Sequence, residues 1–210
     1  MGVTTYIGKR VELISMDPHF HEISIGLFQQ EQRSAAVYLV HSYSRKEGTR
    51  ERLDFLVRAM AILGGMEQAE GLLRFSCGNA HLLAARRIFL EACKLKPEGV
   101  PEQRPLQILD KKSGVEFVVR AKGEGAYEVV PGSGGDDATA RAAAIANGLA
   151  KLAEMIRPEA APESVAFACG QAHDAVVGLL LARALNVRAA LREEEMAASR
   201  GVLVAPSAQK

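Results

Sequence analysis

The chain has no tryptophan, and aromatic residues make up only 5% of its 210 positions. Few ring faces are left on which single-stranded nucleic acid could stack. Net charge is nearly absent, since 26 Lys and Arg against 25 Asp and Glu leave a formal +1. A general electrostatic grip on nucleic acid or on an anionic membrane is therefore not expected. Long apolar runs are also missing: the best, residues 175–182, falls far short of the roughly twenty residues that span a bilayer. The first residues do not combine a basic start with an apolar stretch, so no signal peptide is read there. Cysteine is scarce and odd in number. Cys77, Cys93 and Cys169 cannot all pair, which points to reduced thiols and a cytoplasmic setting.

What is present is a globular composition, 48% apolar and 24% charged, with enough apolar surface for a core. There is also a repetition. Residues 75–81 read FSCGNAH, and 92 residues later residues 167–173 read FACGQAH. At that offset Ala92 also meets Ala184, and Leu53, Val57, Met60, Ala61 and Leu63 face Ile145, Leu149, Leu152, Ala153 and Met155. Both sets keep helical spacing.

Strands are expected over residues 11–14, 22–28 and 35–40, and again over 106–109, 115–121 and 126–130. The fold class read from this order is α+β, a tandem duplication of a strand-strand-strand-helix-strand-helix unit with pseudo-twofold symmetry. The first unit spans 1–98 and the second 99–210, divided by a Pro/Gly-containing linker at 96–101. The helix after each motif is apolar on most faces and is expected to be covered on most faces. The helices starting near Thr49 and Asp136 are more amphipathic and are expected on the outside, with Thr49 and Asp136 as N-caps. A short strand is expected at residues 202–204.

In each motif a strand is expected to end at the cysteine and a helix to begin near Asn79, with Gly78 and Gly170 permitting the turn. The thiol would then sit by unpaired helix N–H groups, a setting that favours thiolate and attracts anions. Three readings follow. In the first, small cysteines and satisfied histidines only build the junction. In the second, Cys77 and Cys169 face one cleft and exchange a proton at the carbon of a bound carboxylic acid, one as base and one as acid. In the third, two Cys-x-x-x-His pairs come together as a Cys₂His₂ set suited to zinc. The sequence does not force the two motifs together.

Cys77-Gly78-Asn79-Ala80 and Cys169-Gly170-Gln171-Ala172, each followed by an apolar helix, resemble the Cys-Gly-Asn-Gly and Cys-Gly-Thr-Gly junctions of diaminopimelate epimerase-like proteins. Ala80 and Ala172 stand where that family has a second glycine. The resemblance implies a duplicated α+β fold with a cleft between its halves. It implies Cys77 and Cys169 as a catalytic acid/base pair, with Gly78, Asn79, Gly170 and Gln171 binding carboxylate. The two histidines, His81 and His173, are not part of the family pattern and join the candidate ligand-binding set on their position here. The leading functional expectation is a cofactor-independent isomerase or epimerase that holds a small anionic molecule. No metal, nucleic acid or membrane partner is assigned in it. The rival is a non-catalytic binding or structural protein, or the Cys/His zinc site.

Three further clusters are weighed. The loop 131–136, Pro-Gly-Ser-Gly-Gly-Asp, precedes a helix, but Asp136 and Asp137 oppose phosphate there, and a flexible loop is favoured. His19 and His21 alternate along a strand beside Asp17 and Glu22, where solvated side chains are favoured over a metal site. Arg45, Lys46, Arg50 and Arg52 read as a solvated basic face, with Glu47 and Glu51 interleaved, and residues 192–195, Arg-Glu-Glu-Glu, as a solvated helix.

Overall fold

The computed structural model describes residues 12–17, 19, 20, 23–32, 35–69, 71–100, 104–189, 191 and 192. It is an α+β protein with two antiparallel sheets. The first half runs β1 (Glu12–Met16), β2 (Ser24–Gln32), β3 (Ala35–Ser42), α1 (Thr49–Gly64), β4 (Glu67–Ala69), β5 (Leu72–Arg74) and α2 (Leu82–Cys93). The second runs β6 (Gln107–Asp110), β7 (Val115–Gly123), β8 (Ala126–Pro131), α3 (Asp136–Ala153), β9 (Ser164–Ala166) and α4 (Asp174–Ala184). The sheet orders are β1-β2-β3-β5-β4 and β6-β7-β8-β9. The six long-strand expectations hold to within a few residues, and β4 is an addition of the first half. Residues 202–204 and 193–195 lie outside the described residues, as do Val11 and Pro101.

Alternation sets the sheet faces. Phe117 and Val119 on β7, and Tyr127 and Val129 on β8, are buried, while Glu116 and Arg120 point away. The helices cover the buried face. In the first half α1 lies on β3, β4 and β5 and α2 on β1 and β2. In the second, α3 lies on β8 and β9 and α4 on β6. Helices of one half also touch those of the other, α1 with α4, and α2 with α3 and α4. The result is sheet, helices, helices, sheet, with one continuous apolar core. As their composition predicts, α2 has no fully exposed residue and Val176–Leu181 of α4 are all buried. Helix α1 keeps an exposed stripe of Arg50, Glu51, Asp54 and Arg58.

Two expectations are corrected here. Thr49 and Asp136 are the first helical residues, not the caps; Gly48 and Gly135 occupy the cap positions, and no side chain caps either helix. Arg52 does not belong to an exposed basic face. It is 2% exposed and pairs with buried Asp17, while also donating to the carbonyls of Cys93 and Leu95 at the end of α2. The second half repeats this device: Arg141 on α3 donates to Asp110 and to the carbonyl of Leu185 at the end of α4. Arg52 and Arg141 are 89 residues apart, not 92. Gly65 and Glu154, which end α1 and α3 in the left-handed conformation, are also 89 apart. These features of α1 and α3 line up at an offset of 89, three residues from the motif offset and close to one helical turn, so apolar periodicity agrees at either offset.

Candidate Cys/His metal centre

Each motif is a connection between a short strand and a helix. β5 ends at Arg74 and α2 starts at Leu82; β9 ends at Ala166 and α4 starts at Asp174. The helix thus begins three residues later than the expected Asn79. His81 and His173 are the N-cap residues, not members of the first turn. Between strand and helix the chain turns tightly, with the Gly78 N–H donating to Phe75 O at 2.9 Å and the Gly170 N–H to Phe167 O at 3.0 Å. Gly78 and Gly170 have φ of 74° and 73°, a region costly for any residue with a Cβ.

The turn bends each cysteine back toward its own histidine. Cys77 Sγ lies 3.2 Å from His81 Nε2, and Cys169 Sγ lies 3.2 Å from His173 Nε2. The thiols do not sit by helix N–H groups. Each sulfur instead accepts from the N–H two residues on, Asn79 or Gln171, at 3.4 Å. Asn79, Ala80, Gly170, Gln171 and Ala172 are exposed around the sulfurs.

The two motifs meet. The four side-chain ligand atoms of Cys77, His81, Cys169 and His173 all lie within 4.8 Å of one another. The imidazoles of His81 and His173 are in edge contact, ring centroids 4.6 Å apart. Phe75 packs on His81 at 5.0 Å and on His173 at 5.4 Å; Phe167 packs on His173 at 4.8 Å and on His81 at 5.3 Å. Each motif phenylalanine therefore walls both histidines. Behind them stand Tyr38 and Tyr127, in edge contact with Phe75 and Phe167 respectively.

Burial works against charge on both imidazoles and on the Cys77 thiol. Burial lowers the pKa of His81, and lowers that of His173 to about 4 with help from the neighbouring His81. Burial raises the Cys77 thiol; the Asn79 N–H opposes this, and Cys169 adds to it. Burial raises Tyr38 and Tyr127, eased by the backbone of His81 and His173 beside their hydroxyls. Neutral imidazoles have a free lone pair for a metal. Imidazolium and thiolate, the pair that would activate a nucleophilic cysteine, are not favoured here.

Of the residues that the resemblance implies for carboxylate binding, Gly78 and Gly170 make the turns, and Asn79 and Gln171 give their N–H groups to sulfur. Of the His19 and His21 pair, only His19 is among the described residues. His19 Nε2 lies 3.2 Å from the Lys94 carbonyl, and Asp17 is held by Arg52; His21 and Glu22 lie outside the described residues. Sequence reasoning missed Tyr38 and Tyr127, which the 89-residue offset would have paired. It also missed Glu154, which lines a half-open cavity of about 330 Å³ with Asn79, Ala80, His81, Ala168 and Cys169.

Comparisons with protein-family models, with curated proteins and with solved structures return no match to this chain. Among the described residues, no helix is long and apolar enough to cross a membrane.

Proposed function

We propose that this chain is a metal-binding protein whose Cys77, His81, Cys169 and His173 hold one transition-metal ion, with zinc the best fit to the donor set. The carrying observation is the convergence of four ligand atoms within 4.8 Å. Bond lengths of about 2.3 Å to sulfur and about 2.0 Å to nitrogen put neighbouring donors of a tetrahedral site about 3.5 Å apart. The observed S···N distances of 3.2 Å sit close to that value. N–H bonds to each sulfur hold the two thiols in place and are part of the supporting shell such a site needs.

The isomerase reading asks for something different. Two sulfurs acting on opposite faces of one carbon, each about 3–3.5 Å from it, must stand roughly 6–7 Å apart. The sulfurs here are within 4.8 Å of each other, a separation that favours an ion over a carbon between them.

The same contacts support an internally duplicated fold with a pseudo-twofold axis through the site. Cys77 meets Cys169, His81 meets His173, and Phe75 and Phe167 exchange histidines reciprocally. Such reciprocity is the mark of a twofold contact. On this reading the ion joins the two halves.

Metal analysis of the protein purified without added metal tests the proposal. About one equivalent of zinc per chain is expected, falling below about one-tenth in Cys77→Ala and Cys169→Ala, with cobalt giving a tetrahedral thiolate spectrum. Absence of metal, together with cysteine-dependent exchange of α-protons from amino or hydroxy acids in heavy water, would return the site to the isomerase reading.

A further inference from the structure

The surroundings of the Cys/His cluster are not the same on its two sides. Helices α1 and α3 both end in a left-handed residue beside the site. In the first half that residue is Gly65, φ 57°; in the second it is Glu154, φ 55°. Glycine takes this conformation freely, while a residue with a Cβ does so under strain. At Gly65 an added Cβ would come 3.2 Å from Ala175 Cβ, so α4 closes that side. On the Glu154 side the structure opens instead into the cavity of about 330 Å³, whose wall includes both His81 and Cys169. That volume has room for a hydrated ion. Glu154 is close enough to the Tyr38 hydroxyl behind Phe75 to oppose its ionisation, which places the carboxylate within electrostatic reach of the cluster.

We propose that this cavity is the route by which a divalent transition-metal ion enters, and that Glu154 is the residue that collects it. The inference rests on the metal reading of the four ligands. A carboxylate is acceptor-only and hard, so it attracts a hydrated dication without stripping its waters. The softer sulfur and imidazole donors then replace the water shell. The two thiol protons leave to bulk solvent as the ion binds. The backbone strain at Glu154 is maintained where a strain-free glycine serves the equivalent position, which is the pattern of a residue kept for what its side chain does.

The experiment is stopped-flow binding of cobalt(II) to reduced, chelator-stripped protein, followed by thiolate-to-metal absorbance. Wild type, Glu154→Gln and Glu154→Gly are compared at low and high salt. Both variants should reach the wild-type spectrum at saturation, because the four ligands are intact. Their association rate at low salt should fall about threefold to tenfold, and the difference should shrink as salt screens the charge. Glu154→Gly relieves the strained backbone, so slow uptake in that variant cannot come from poor folding. Wild-type rates in Glu154→Gln would overturn the proposal. So would an altered final spectrum, which would make Glu154 a ligand. A wild-type protein that gives no cobalt spectrum would overturn the metal reading itself, a failure distinct from the other two.

Discussion

Glu91 on α2 and Arg183 on α4 form an ion pair, although they occupy the same place in the two halves of the sequence, 92 residues apart. If the halves were identical, this position would set like charge against like. Opposite signs make the contact favourable only between a first half and a second half. The pair also answers a local excess of positive charge: burial lowers the nearby Arg87 to about 10, with Arg86 and Arg183 adding to the effect.

The two arginine devices should differ in cost. Arg52 and Asp17 have side chains with 0% exposure, so Arg52→Ala strands a carboxylate in the core and should cost about 3–5 kcal/mol. The Arg141 side chain is 31% exposed, water can replace part of its role, and Arg141→Ala should cost about 1–2 kcal/mol. Urea unfolding of both variants measures this, and equal losses would contradict the assignment of Arg52 to the core.

Acid should act through Asp110. Burial opposes its ionisation, but the Lys112 N–H, Arg141 and Ser113 outweigh that and hold its pKa below the ordinary 3.8. A carboxylate with a depressed folded pKa contributes stability above its unfolded pKa, and loses it as pH falls through the folded value. Unfolding free energy should therefore drop below about pH 4, and Asp110→Asn should flatten that limb. Denaturation curves from neutral pH to pH 2.5 decide it; parallel acid limbs in the two proteins would show that Asp110 is not responsible.

On the proposed metal reading, the metal-free protein should show a redox partnership. With Cys77 and Cys169 sulfurs within 4.8 Å, little movement brings them to the roughly 2.05 Å of a disulfide. Peroxide should oxidise the two thiols of metal-free protein to an intramolecular disulfide while itself being reduced to two waters. Cys93 should stay reduced, since it is 3% exposed and burial pushes its thiol up to about 12. Zinc-loaded protein should react at least about tenfold more slowly, its sulfurs being engaged. Peptide mapping under non-reducing conditions reads the pairing; intermolecular dimers or Cys93 adducts would contradict it.

The site was legible in the sequence because its parts are local. FSCGNAH and FACGQAH each contain a cysteine, its histidine, the glycine that turns the chain and the phenylalanine that walls the imidazole. What local sequence does not carry is how two such segments approach, so shared clefts, metal and mere architecture all stood open. The helices agreed in apolar periodicity at either offset for a physical reason: a shift of three residues nearly preserves a 3.6-residue period. Asp17 and Arg52 were placed in separate surface clusters because their pairing joins positions 35 residues apart. Glu154 gave no signal at all, since only the end of α3 and the neighbouring cavity make it noteworthy.

The even division of the cluster, one cysteine and one histidine from each half, also has a kinetic meaning. Closing a chain of 92 residues costs about 4 kcal/mol of loop entropy before the first cross-contact is rewarded. The cluster is therefore expected to come together after both sheets and their helices exist, late on the folding path. Whatever binds there stabilises the finished protein and not the transition state that precedes it. A bound ion would leave the folding rate almost untouched and would act as a brake on unfolding.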